Sequence, residues 1–189
     1  MIRSIFPAVI GLVLFASQAS AGPVTQTTAP ASTNTCCWAQ ETIGTVVLAI
    51  GTTEISSLTS SVAAWDHGWG GYNPAANDVQ LVLKAGSSWL WNAHVAGGLR
   101  GPGQYDAQFF DIDNTPSLVT SLGVALGAID WDTTAPITVQ MITHGVGYGG
   151  WELYVSDATF TVISQVPEPS VFALFALGLV GFGLRRRRA

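Results

Sequence analysis

The chain has 189 residues, of which 48% are hydrophobic and only 10% charged, and its formal net charge is −5. Five of the seven basic residues, Arg3, Arg185, Arg186, Arg187 and Arg188, sit at the two ends, so between Gly22 and Gln165 only Lys84 and Arg100 stand against eleven acidic residues, a net charge of −9. That balance repels phosphates and excludes nucleic acid as a partner, because such binding needs a basic footprint.

The first 21 residues read as a secretory signal peptide. Met1-Ile2-Arg3 gives a positive start, and Ile5 to Ala16 is mostly apolar. Ala19-Ser20-Ala21 is a small-x-small cleavage site before Gly22. Residues 22–35 are rich in Thr, Ala, Ser and Pro, which predicts a flexible stalk. Cys36 and Cys37 follow, adjacent and the only cysteines of the chain. Export favours oxidation. Adjacent cysteines bridge only through a strained ring, since ordinary bridged Cα separations exceed their spacing. The options are a vicinal disulfide, intermolecular bridges or two reduced thiols, and this reading favours free thiols or intermolecular pairing.

Residues 36–165 are predicted to form one domain with a real core. Thr45 to Ile50, Val79 to Leu83, Ser88 to Val95, Tyr105 to Ile112, Ile137 to Thr143, Trp151 to Val155 and Ala158 to Ile163 are short runs rich in β-branched and aromatic residues. Several of them alternate at period two. Clusters of Gly, Asn, Asp and Pro separate them, as in Gly68 to Pro74, Gly97 to Gly103 and Gly145 to Gly150. Ser117 to Ile129 reads as either a strand pair or the single helix. Short strands with glycine-rich turns predict a mostly β chain with one domain of the β-sandwich or jelly-roll type.

Several motifs suggest chemistry. Phe109-Phe110-Asp111-Ile112-Asp113-Asn114-Thr115 resembles the first motif of haloacid-dehalogenase-type phosphatases, an apolar strand ending in Asp-x-Asp-x-Thr. That resemblance implies a nucleophilic Asp111 and an acid Asp113 beside magnesium. The chemistry also needs a downstream cation for the transferring phosphoryl group. No Lys or Arg occurs between Thr115 and the terminal arginines, so a strand entering an Asx-rich turn is the preferred reading. Asp111, Asp113 and Asn114 remain candidate calcium ligands, because hard cations want clustered oxygens. Asp130 and Asp132 form a second such candidate. His-Gly-x-Gly occurs at His67 and at His144, but no Gly-x-Ser-x-Gly elbow accompanies it. A zinc site from His67, His94 and His144 is weighed and set aside because of their wide spacing. Trp69, Tyr72, Tyr148 and Trp151 flank glycine turns, where aromatics can stack on sugar rings, although such rings also plug the ends of a sandwich. They are the candidate ligand-binding residues.

The tail is the most specific feature. Val166-Pro167-Glu168-Pro169-Ser170 is followed by an apolar run, Val171 to Leu184, and then by Arg185–Arg188. As a helix, fourteen residues reach about 21 Å, short of a hydrocarbon core of roughly 30 Å. Arginine stems can snorkel and a bilayer can thin to cover the deficit, and the basic cluster suits a cytoplasmic stop. The prolines keep the preceding peptide extended and open to an enzyme. Residues 166–189 resemble the PEP-CTERM sorting signal of Gram-negative bacteria. That resemblance implies an exosortase as processing partner and an association with exopolysaccharide and biofilm. The expectation is an exported, non-catalytic surface or matrix protein that binds polysaccharide, first held in the inner membrane by a C-terminal helix. A small exported hydrolase and a calcium-binding module are the alternatives. No cofactor other than calcium is expected.

Overall fold

Val79, Leu81 and Leu83 alternate with Asp78, Gln80, Val82 and Lys84, and in the folded chain the first set faces the core. This period of two is what a strand with one buried face requires. The computed structural model describes residues 23–67, 78–97, 106–132, 135–145 and 152–166. They fall within one unit, Ala21–Glu168; the other unit, Met1–Ser20 with Pro169–Ala189, lies outside the described residues.

The strands are β1 (Pro23–Thr27), β2 (Ala31–Cys36), β3 (Gln40–Val47), β4 (Glu54–His67), β5 (Asp78–Ala85), β6 (Ser88–Gly97), β7 (Asp106–Asp111), β8 (Ile137–His144) and β9 (Glu152–Gln165). They form two antiparallel sheets. The first has the order β1-β9-β4-β7, with β2 also paired to β9, and the second has the order β3-β8-β5-β6. The pairs β2–β9, β3–β8, β4–β7 and β5–β6 are nested like the two arms of one long hairpin whose tip is the β5–β6 turn. Folding that hairpin into two sheets is the jelly-roll arrangement, a mostly β sandwich.

The core lies between the sheets. Leu58 and Val62 of β4 and Leu153, Phe160 and Val162 of β9 meet Leu81, Leu83, Val139 and Met141 of the second sheet. A turn of 3-10 helix at Ile112–Asn114 leads into α1, Pro116–Gly127. Leu118, Leu122 and Leu126 recur at helical spacing and turn inward. Pro116 starts the helix, where a missing amide proton costs nothing. Trp91 of β6 donates its indole N–H to Ser121 Oγ at 2.8 Å, which ties the helix to the sheet.

Four features differ from the sequence reading. The expected flexible stalk, residues 22–35, instead holds β1 and all of β2 but Cys36, and the two strands pair with opposite stretches of β9. β4 runs for fourteen residues where no strand was predicted. Register shifts at Ile55/Ser57 and Ala63/Ala64 break its alternation, and Ser60 occupies a buried position, so the period-two signal is lost. Cys36 and Cys37 form a vicinal disulfide rather than free thiols or intermolecular bridges. The predicted strands Trp151 to Val155 and Ala158 to Ile163 are parts of one strand, β9.

Gly44 is required by the packing of Phe160. A Cβ built at Gly44 would lie 2.9 Å from Phe160 Cε1 and 3.2 Å from Thr28 Cγ2. Phe160 is 1% exposed, so its ring lies packed within the core. Gly44→Ala is therefore expected to destabilise the domain by about 1–3 kcal/mol, the usual cost of overpacking. The check is a lower midpoint in urea denaturation with an unchanged slope.

Candidate functional site

The strand ends define one end of the sandwich. Cys36 pairs with Glu152 and His67 pairs with Glu152 in the first sheet. Gln40 and Asp78 both pair with His144, and Gly97 pairs with Asp78, in the second. The turn from Cys36 to Gln40 joins the sheets here. At the far end of β9, roughly 45 Å away for a strand of this length, Gln165 and Val166 mark the approach to the sorting motif.

Asp78 is the centre of a polar network at the first end. Its side chain is only 3% exposed, on the face of the second sheet turned away from the core. His94 Nδ1 lies 2.5 Å from Asp78 Oδ2, and Gln80 Nε2 donates to the same oxygen at 2.9 Å. Asn92 Nδ2 in turn donates to Gln80 Oε1 at 2.9 Å. His144 Nδ1 stands 3.8 Å from Asp78 Oδ1, beyond hydrogen-bond range, and among the described residues Oδ1 is a buried acceptor without a donor. Gln140 Oε1, on the same face of neighbouring β8, is a second such acceptor. Strand pairing explains the assembly. β5 lies between β6 and β8, so Asp78 and Gln80 receive side chains from both neighbours.

The first sheet contributes aromatic surface at the same end. Trp65 and Tyr154, register partners on β4 and β9, have ring centroids 4.6 Å apart at 31°. The Tyr154 hydroxyl donates to Glu152 Oε2, and Asn34 Nδ2 reaches the same oxygen at 3.3 Å. At the corner between the sheets, Trp38 is 65% exposed beside the Cys36–Cys37 disulfide.

The residues singled out in the sequence fare differently. Asp111 closes β7 and its Oδ1 accepts the Asp113 N–H at 3.1 Å, capping the 3-10 turn. Asp113 and Asn114 point to solvent. Asp132 N–H and Asp130 Oδ1 repeat this local turn at 3.1 Å. Among the described residues no group of three or more His, Cys, Asp or Glu side chains is arranged to hold a metal. The phosphatase-like motif sits on β7, an outer strand of an antiparallel sheet, rather than in strand–helix alternation. Lys84 is the one basic residue among the described residues other than histidine. Of the three histidines, His94 and His144 meet at Asp78, an assembly that wide sequence spacing conceals. Trp69, Tyr72, Tyr148 and Trp151 lie outside the described residues, as do Ala19, Ala21, Gly22, Pro167, Glu168, Pro169, Ser170 and Arg185–Arg188. No described helix is long and apolar enough to cross a membrane, and the run 171–184 is outside them too.

Residues 165–188 match the PEP-CTERM protein-sorting motif. The chain carries a PEP-CTERM sorting signal. The signal makes this an exported protein with a membrane-anchored precursor that an exosortase processes. No curated protein sequence matches the chain. Among solved structures, the chain is similar to part of the infectious bursal disease virus Gx strain structure, at 12% identity and a TM-score of 0.42, over 80% of this chain and 33% of the viral one. The Gt strain structure matches at 12% identity and 0.37, over 78% and 38%. The VP2 subviral particle of the same virus matches at 16% identity and 0.37, over 78% and 38%. The chain thus spans little more than a third of the viral chains it matches.

The network yields a comparison between two variants. Asp78→Ala removes the buried partner of Gln80 and His94, at an expected cost of about 1–3 kcal/mol. His94 is 66% exposed, so its partner loss is relieved by water, and His94→Ala is expected to cost clearly less. Urea midpoints of the two variants against the parent measure the difference.

Proposed function

We propose that the exported domain is a non-catalytic cell-surface or matrix protein that binds extracellular polysaccharide at the end of the sandwich opposite Val166. The observation that carries this reading is the Asp78 network. Its side chains are fixed on a paired sheet, with buried Asp78 orienting the polar groups that its neighbours present to solvent. His94 and Asn92 are exposed beside it, and both can hydrogen-bond a hydroxyl. The net charge of −9 favours uncharged glycans over anionic ones. The sorting signal supports the destination, because it marks an exported chain.

A second reading, a small exported hydrolase, draws on one observation. A buried carboxylate that holds an imidazole is the arrangement that orients a general base. Among the described residues no hydroxyl or thiol is hydrogen-bonded to His94, so water would have to be the nucleophile.

Two measurements test the reading. The processed protein should be retained on uncharged polysaccharides from its host, with retention reduced about tenfold or more in Asn92→Ala and Asp78→Ala. Turnover of glycosyl or acyl ester substrates that disappears in His94→Ala would replace binding with hydrolysis. For the route, replacing Pro167, Glu168 and Pro169 by alanine should leave an uncleaved precursor in the inner membrane. Unchanged mass and release of that variant would contradict exosortase processing.

A further inference from the structure

We infer that Trp38 is a sugar-stacking anchor, held ready by the Cys36–Cys37 disulfide, for the same polysaccharide. This inference rests on the binding reading above and assigns it a second contact point. Ala39 N–H donates to Cys36 O at 3.0 Å, which closes a four-residue turn over Cys37 and Trp38. Both central residues have positive φ, +64° and +66°. A turn of that type is the natural place for Asn-Gly or Gly-Gly. Left-handed backbone is unfavourable for a residue with a side chain. Cys and Trp are therefore a poor choice for stability at these two positions. Strain of this kind, kept at one exposed place, points to use.

The base of the turn is rigid. Gly145 donates its N–H to Ala39 O at 3.1 Å, and a Cβ on Gly145 would lie 2.5 Å from Thr35 O, so only glycine fits against this corner. Beneath it the Thr35 and Thr143 hydroxyls meet at 2.7 Å, fully buried. The disulfide ring adds a covalent tether between Cys36 and Cys37, the first two residues of the turn. Trp38 then projects from a fixed base with 65% of its surface open. A rigid exposed indole offers a large apolar face with little side-chain entropy to lose, as binding anchors do. The chemistry it suits is the C–H face of an uncharged pyranose. Gln40, two residues on, is separated from Asp78 by one intervening strand, hence by roughly 10 Å. The two contact points together fit a polymer chain rather than a single sugar.

The test uses the processed protein with its disulfide formed. Trp38→Gly should keep or raise the thermal midpoint, because glycine accepts φ +66°, while retention on an uncharged polysaccharide falls about tenfold or more. Cys36→Ser with Cys37→Ser, which keeps the indole but frees the turn, should weaken retention several-fold with the fold intact by circular dichroism. Retention unchanged in Trp38→Gly would overturn the anchor, and unchanged retention in the serine variant would overturn the role of the disulfide. Loss of self-association in Trp38→Gly, with retention unaltered, would assign the indole to a second copy of the chain and also overturn the inference. No retention of the parent protein on any polysaccharide would defeat the underlying binding reading instead.

Discussion

The pairing of β4 with β9 is the constraint on which the rest of this structure depends. Each strand has fourteen residues, and they pair from Glu54–Gln165 to His67–Glu152. On their inner faces Leu58, Val62, Leu153, Phe160 and Val162 supply much of the core, and all are at most 1% exposed. β9 also receives β1 and β2 on its other edge. Without this pair neither the N-terminal strands nor the second sheet would have a surface to pack on. Most of its contacts join residues about a hundred positions apart, so the domain is held by non-local pairing, which closes slowly and then cooperatively.

The same pair gives the domain its polarity. Its Glu152 end gathers the Asp78 network, the Trp65–Tyr154 stack and the corner that carries Trp38. Its Gln165 end leads into the sorting motif. The apolar cleft of about 250 Å³ lined by Val47, Leu48, Ile50, Trp131 and Ile137 belongs to this second end, near the β5–β6 turn.

Much of this was legible in the residues, and the failures have physical causes. β5, β6 and β8 announced themselves because they alternate on one face or run apolar throughout. β2 did not, since Ala31-Ser32-Thr33-Asn34-Thr35 has almost no apolar residue, and its stability comes from main-chain bonds to β9 that composition cannot reveal. β4 was hidden by two bulges and a buried serine. The helix was left open because Ser117 to Ile129 has both strand-forming valines and a helical leucine spacing, and only the packing of Leu122 and Leu126 decides it. The site was the least visible part. Asp78, His94 and His144 lie on three strands, and only the sheet order brings them together. Trp38 drew no reading of its own, because nothing in the sequence marks a left-handed turn at Cys37-Trp38. The sorting tail was readable at once, since its recognition depends on a short contiguous peptide.

Amide hydrogen exchange on the processed protein, with and without an uncharged polysaccharide from its host, maps the surface the polymer covers. Exchange reports local opening residue by residue. Added protection is expected at Cys36 to Gln40, Asp78 to Gln80 and Asn92 to His94, with none at Val47 to Ile50 or Ala85 to Ser88. Protection confined to the latter segments, or absent throughout while the polysaccharide is bound, would contradict binding at the Asp78 end.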